Sequence, residues 1–409
     1  MLLLMGACKG AKLSTANEQL ERGEFFDASK TYRKVYNKLT KREDRPLRGE
    51  VAYKLGTCYR RLNQAPQAAA AFQNAIRYEY PDSMTYYWLG RSLQADGQYA
   101  QALDAYTAFL RLCPDDELAK EGARGCRMAI QAKKAKKSRY VVKNAKIFNS
   151  RRADFAPMYL DKNFDQLFFT STNEKNMGEH KSEITGMKKS DIYVSKKDEQ
   201  GKWQRPEPVE GELNTDMDEG IVSFSPDGQT MYLTKARRSP TSNTSVEIYT
   251  SRRSDATWGA ASKYEITADT LSAVGHPAVS PDGKYLYFTS DMPGGYGGKD
   301  IWRVAIGERI GSLENLGPQI NTPGDEMFPY LRADTLLYFS SDGHPGFGGL
   351  DMFKATLNST RDRWSVENLG LPMNSAGDDF GITFGPGESG FFSSNRGDRK
   401  GYDHIYSFE

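Results

Sequence analysis

The sequence predicts two unlike domains in one chain: an all-α helical repeat array, then an all-β propeller of five blades. Three observations carry this. From Ser14 to about Ser138 the apolar residues recur at the helical period, with Pro and Gly only as punctuation. From Arg139 onward the pattern becomes short runs rich in Tyr, Phe, Ile and Val, broken by Gly, Pro, Asp and Asn. Across this second stretch a single unit recurs. Ser280–Arg303 reads SPDGKYLYFTSDMPGGYGGKDIWR, with further copies at Ser225–Thr234, Arg332–Lys354 and Gly385–Ser407 and a looser one at Asp161–Ser195.

The helical domain justifies itself by spacing. Tyr53-Lys54-Leu55-Gly56 aligns with Tyr87-Trp88-Leu89-Gly90 at an interval of 34, Ala68 with Ala102, and Phe72 with Tyr106. This is similar to the tetratricopeptide pattern of two antiparallel helices per repeat. Gly56, Gly90, Ala68 and Ala102 let paired helices approach, and Phe72 and Tyr106 fill the space between them. An earlier copy with Ala28 and Tyr32 is offset by the insert Leu39–Arg48. The polar helix from about Glu117 to Lys134 is expected to be a solvating cap. Three repeats and a cap form a curved stack. By repeat phase Glu50, Tyr53, Arg60, Arg61, Tyr87, Arg91 and Gln94 face its concave groove. Tyr and Arg are frequent interface anchors, so the expectation is a protein-docking groove; ordinary surface and packing roles are the bland alternative at each position.

The β domain is read in the same way. Repeat starts at Asp154, Glu219, Gly275, Glu326 and Asp379 are 65, 56, 51 and 53 residues apart, the length of one blade each. A first strand leads to a tight Ser-Pro-Asp-Gly turn, then an aromatic strand, a glycine-rich loop and an Asp-Ile/Met-aromatic strand. Each unit then ends in Leu-Asn-Thr (Leu213–Thr215), Ile-Asn-Thr (Ile320–Thr322) or Met-Asn-Ser (Met373–Ser375). Asn144–Pro157 lines up with Leu316–Pro329, so an outer strand precedes the first blade while the chain stops after the third strand of the last. Residues 141–149 are therefore expected to complete the final blade and close the ring. The division is 1–13 (signal remnant and linker), 14–138 (repeat array) and 139–409 (propeller).

The recurring Asp191, Asp300, Asp351 and Asp403, with Asn173, Asp291, Asp342 and Asn395, are expected to cap turns, because symmetric recurrence around a ring does not bring acids together. Calcium in a glycine-rich loop and acid/base chemistry are the competing readings. GGYGG and GFGGL do not lie between strand and helix with a following Lys, so they are not phosphate cradles, and no GxSxG occurs. The expectation is no enzyme, no cofactor and no metal; His180, His276, His344 and His404 all lie in turn-rich segments. With 55 basic against 53 acidic residues, net +2, no general polyanion surface is expected and nucleic acid is not a partner. The basic run Lys133–Lys137 reads as a solvated helix end, with anionic lipid or nucleic acid as the alternative. Cys58, Cys113 and Cys126 sit in helical patterns, as buried thiols or, for the last two, a disulfide.

The start, MLLLMGACKG, places Gly6-Ala7 before Cys8, similar to a bacterial lipobox with Cys8 as the acylated residue. An apolar N-terminus without processing is the other reading. The strand–loop–Asp-Ile-aromatic unit resembles the TolB-type propeller repeat. In the order lipid anchor, helical repeat, five-bladed propeller, the whole chain from Cys8 to Glu409 resembles the PorE-like outer-membrane lipoproteins of the type IX secretion system. That resemblance implies a non-enzymatic periplasmic scaffold, anchored at the outer membrane through Cys8 and docking protein partners of a secretion or envelope complex. Such proteins continue into a C-terminal OmpA-like module that holds peptidoglycan, which these 409 residues do not include. Wall binding is implied only if that module follows. A channel in the propeller that takes a peptide or glycan, and a propeller enzyme, are the competing functions.

Overall fold

The protein is described by a computed structural model covering residues 2–132, 139–177, 181–182, 184–237, 245–255, 257–267, 269, 271–307, 312–358, 360 and 363–409. Of residues 2–11, Cys8 included, only the helical backbone is described. The basic run Lys133–Lys137 and His180 lie outside the described residues.

Seven α-helices occur among the described residues: α1 (Leu2–Glu21), α2 (Phe25–Tyr36), α3 (Arg45–Arg61), α4 (Ala65–Arg77), α5 (Met84–Ala95), α6 (Tyr99–Leu112) and α7 (Glu117–Ala132). The close approaches follow from the small residues. A Cβ added at Gly56 would lie 2.8 Å from Phe72 Cε1, and one at Gly90 would lie 2.9 Å from Tyr106 Cδ1. The 34-residue spacing thus fixes where a ring of one helix meets the backbone of its partner. The Leu39–Arg48 insert holds a 3-10 turn, Arg42–Asp44. Cys58, Cys113 and Cys126 are free thiols; burial pushes Cys58 and Cys126 up to about 12, so they stay protonated and inert.

Five antiparallel sheets follow. Blade 1 runs from Asp154–Tyr159 to Glu207–Pro208, blade 2 from Glu219–Phe224 to Ser262–Lys263, and blade 3 from Val274–Val279 to Glu314–Asn315. Blade 4 runs from Glu326–Ala333 to Arg363–Asn368. Blade 5 takes Asp379–Phe384, Gly390–Ser394 and His404–Phe408, and its outer strand is Val142–Asn144. Val142 pairs with Phe408, Lys143 with Ser407 and Asn144 with Tyr406.

The recurring asparagine explains the closure. Asn214, Asn321 and Asn374 each accept from and donate to one residue of the neighbouring third strand, Ile192, Ile301 and Met352. Asn149 makes the same two bonds to Ile405, at 2.7 and 2.9 Å, across the closure. The residue after the asparagine serves the next blade: Thr215, Thr322 and Ser375 hydroxyls donate to the buried first-strand acids Glu219, Glu326 and Asp379. One tripeptide therefore pins an outer strand and solvates a buried carboxylate.

The first strand of every blade carries a bulge. Ala156, Ile221, His276, Phe328 and Gly381 all adopt positive φ, between 49° and 62°. Each coincides with a shift in register. A left-handed residue with a side chain costs about 1 kcal/mol, and cross-blade bonds offset some of this. The amides of Ala156, Ile221 and His276 donate to Ser393, Thr170 and Thr234 of the preceding blade. The bulged residues fill the axis: His276 stacks on Phe328 at 4.1 Å, Phe328 lies 4.5 Å from Phe380, and the cavity they line holds about 20 Å³. That is room for about one water, so at this level the axis does not pass a peptide or glycan.

Loop capping by acids holds for Asp191, Asp300 and Asp351, whose Oδ2 atoms accept from the amides of Met177, Tyr296 and Gly348. Asp403, expected among the turn-capping acids, does not share that position. Ser394 pairs with His404, and the loop from Ser394 to His404 is as long as Ser290–Asp300 and Ser341–Asp351. His404 therefore stands where the other blades have Asp, as the alignment of His404-Ile405-Tyr406 with the Asp-Ile/Met-aromatic strands implies. Among the described residues no group of three or more His, Cys, Asp or Glu is placed to hold a metal.

Two expected outcomes follow from this geometry. Asn144→Cys with Tyr406→Cys should form a disulfide on mild oxidation, since facing residues of adjacent strands lie within bonding range; a free segment would leave both thiols titratable. Burial pushes Asp351 up to about 8 and Glu326 up to about 7. A carboxyl raised in the folded state favours folding below its unfolded pKa, and that contribution is lost as pH rises through the folded value. His276, which burial holds down at about 3, is neutral in both states above about pH 6.5. Melting temperature should therefore fall from about pH 6.5 to 8, and Asp351→Asn should flatten that slope in a calorimetric series.

Candidate functional site

The helical array lies on the propeller face that carries the glycine-rich loops and the Asn-Thr turns, and three seats hold it there. At α2 the Phe26 amide donates to the Ile184 carbonyl of blade 1 at 3.1 Å, and Gly186 has no room for a Cβ beside the Phe26 ring. After α3 the Asn63 and Leu62 carbonyls abut Gly401 of blade 5, where a Cβ would come to 2.5 and 2.6 Å from them. At α5 the Arg91 guanidinium donates to the Asp342 carbonyl (3.0 Å) and carboxylate (2.9 Å) of blade 4. Gln94 donates to the Gly346 carbonyl at 3.0 Å while accepting from the Tyr106 hydroxyl at 2.7 Å.

These bonds correct the expectation of an open groove. Arg91 and Gln94 do face the concave side, but the chain's own propeller occupies it there. Gln94 is 1% exposed. Burial alone would lower the Arg91 pKa; the Asp342 carboxylate reverses that and holds it above its ordinary value. Tyr87 is buried in the repeat core, edge-on to Trp88 at 4.7 Å and 5.5 Å from Phe109. Tyr53 stacks on Tyr80 at 4.8 Å, and Glu50 pairs with Lys54 at 2.6 Å. Neither of these two lines the space described next. The α7 cap is not wholly solvated either. A Cβ on Gly125 would stand 2.2 Å from the Gly346 carbonyl, because this helix presses a small residue against blade 4.

Between the seats a cleft of about 790 Å³ remains, with Arg60, Arg61, Tyr87, Trp88 and Arg91 on the helical wall. The Arg60 guanidinium lies over Trp88, its Cζ 3.8 Å from the ring centroid. Burial, then the charges of Arg61 and Arg91, lowers its pKa to about 10. The propeller wall adds Arg396 and Arg399, together with Asp325, Asp342, Asp378 and Asp398. Sequence reading placed Arg60 and Arg61 in the groove but missed the propeller half, because Asp342 and Arg399 lie in loops whose composition reads only as turns. The glycines of GFGGL were the available signal, since close backbone approach is one reason for such runs.

A family model of the tetratricopeptide repeat matches residues 13–83 and 53–117. No curated protein matches the chain. Among solved structures, the chain is similar to a Thermobaculum terrenum O-GlcNAc transferase mutant, at 23% identity and TM-score 0.25, over 31% of this chain and 23% of the transferase. An endo-arabinase of Bacteroides thetaiotaomicron matches at 14% identity and TM-score 0.39, over 63% of this chain and 94% of the enzyme. A puromycin-hydrolysing peptidase of Mycobacterium tuberculosis matches at 13% identity and TM-score 0.33, over 64% of this chain and 38% of the peptidase. The chain thus spans less than half the length of the transferase and of the peptidase. Tetratricopeptide repeats joined to a five-bladed propeller make an architecture for protein interaction.

Arg91→Ala should lower the stability of the docked array by about 2–3 kcal/mol, below the cost for a fully buried pair because Asp342 remains 34% exposed. Gly125→Val should undock α7 from blade 4 without emptying either core. Hydrogen exchange at Gly346–Phe347 reads both, and unchanged protection in the two variants would contradict the seat.

Proposed function

We propose that the chain is a non-enzymatic scaffold lipoprotein, anchored through Cys8 to the periplasmic face of the outer membrane, that docks protein partners of a type IX-like secretion machine. The observation that supports this best is the fixed seating of the repeat array on the propeller, which leaves an arginine-walled cleft between two interaction folds. The PorE-like resemblance of the anchor–repeat–propeller order supplies the address and the machine. No described helix is long and apolar enough to cross a membrane, so in this reading attachment falls to the acylated cysteine. Peptidoglycan binding enters only through an OmpA-like module beyond Glu409. The second reading, a ligand in the propeller axis, is disfavoured by the 20 Å³ left among the bulged residues.

Expressed from its native start in cells, the protein should fractionate with the outer membrane and incorporate labelled palmitate. Cys8→Ala should release it to the soluble periplasm. In crosslinked native membranes it should migrate in a large assembly; a monodisperse, partner-free species would overturn the scaffold reading, and unlabelled Cys8 would overturn the anchor.

A further inference from the structure

We propose that the outer edge of blade 4 is a docking surface for a second copy of this chain. Its edge strand, Arg363–Asn368, pairs antiparallel with the same strand of the copy about a two-fold axis at Ser365. This goes beyond the scaffold reading and stands on the propeller alone.

A sheet edge invites another strand, and folds blunt such edges by shortness, charge or proline. The other blades follow that rule. Their outer strands, Glu207–Pro208, Ser262–Lys263, Glu314–Asn315 and Val142–Asn144, run two or three residues. Blade 4 does not. Its outer strand runs six residues, paired without a bulge from Arg363 opposite Asn358 to Asn368 opposite Phe353.

The parity of that ladder fixes which backbone groups are left over. The Leu369 amide donates to the Met352 carbonyl, so Glu367, Ser365 and Arg363 bond to the third strand in the same way. Trp364, Val366 and Asn368 then turn their amides and carbonyls outward. The Trp364 amide does so, donating to the Gln319 side-chain oxygen at 2.6 Å. That cap is the end of a flexible side chain and can swing aside. Among the described residues the outward amide and carbonyl of Val366 have no partner.

One register suits a copy of the same strand. Ser365 opposite the copy's Ser365 sets Trp364 against the copy's Val366, and Val366 against the copy's Trp364. Both are outward pairs, so each exchanges two backbone hydrogen bonds, and each joins an aromatic to a β-branched side chain. The same register sets Arg363 against the copy's Glu367 and Glu367 against the copy's Arg363. These are non-hydrogen-bonded pairs, where facing side chains come closest. Arg363, Ser365 and Glu367 are all exposed on one side of the strand, and Glu367 already pairs with Lys354 at 2.8 Å. A slip of two residues either way keeps the parity but separates both charge pairs. The strand is thus complementary to itself, which is what a two-fold contact requires.

Sedimentation velocity on the purified chain tests this. The chain should pass from monomer to dimer at about 100 μM, the weak regime that so small a contact allows. Arg363→Glu and Glu367→Arg should each weaken the dimer about tenfold, because each sets like charges opposite one another twice. An equimolar mixture of the two variants should regain the parent's affinity, since their charges complement across the pair; that recovery also shows both to be folded. In a Cys8→Ala, Cys113→Ser background, Ser365→Cys should form an intermolecular disulfide on mild oxidation, while Arg363→Cys, away from the axis, should not. A monomer at that concentration would overturn the proposal and leave the edge to a strand of another protein. So would a dimer indifferent to both charge variants, no recovery in the mixture, or equal crosslinking at Ser365 and Arg363. A membrane assembly that survives any of these failures leaves the scaffold reading standing.

Discussion

The seat of α5 on blade 4 is the constraint from which the rest of the molecule's use follows. Arg91 grips Asp342 through both a carbonyl and a carboxylate, and Gln94 bridges the Tyr106 ring of the helical core to a propeller carbonyl. A tetratricopeptide array alone would present its concave face to any partner. Here one end of that face is used internally, and what remains is a walled space with chemistry from two domains. A curved helical stack and a ring of sheets have no reason to sit at a fixed angle unless buried polar groups set it. Each such group left unmatched would cost free energy, so the interface has one good register.

The propeller is made rigid by the same economy. Each Asn-Thr or Asn-Ser turn clamps a third strand and feeds a hydroxyl to the buried acid of the next blade. The bulges at Ala156, Ile221 and His276 borrow a hydroxyl from the blade before, and the Phe328 amide donates to the His276 ring of its preceding blade. These bonds run between blades rather than within them, so the ring is coupled around its circumference. Blade 5 takes its fourth strand from the segment that leaves α7, which makes the helical array and the ring covalent neighbours at the closure as well as docked partners at the seats.

Much of this was legible from residue patterns. The 34-residue spacing located Gly56 against Phe72 and Gly90 against Tyr106, because a small residue opposite a ring is a packing requirement that survives translation into sequence. Alignment of Asn149 with Asn321 placed the latch, since the same clamp needs the same residue at the same offset. The candidate site was legible only by half. Repeat phase showed that Arg91 and Gln94 face inward, but phase is a property of one helix and says nothing about what stands opposite. Asp342 and Arg399 belong to loops whose residues serve turn geometry, and their convergence on α3 and α5 arises only after the ring closes. Strand register separates Asp403 from the other recurring acids: His404 holds the paired position opposite Ser394, and Asp403 lies one residue before the strand.

The central claim is that the array and the propeller form one body with a fixed cleft. Spin labels at the exposed Gln73 on α4 and Lys284 on the far face of blade 3 measure it directly by pulsed dipolar spectroscopy. A single narrow distance distribution, unchanged by moderate salt, is the predicted result. A broad distribution would mean the two domains swing independently, and the cleft would have no fixed geometry with which to recognise anything.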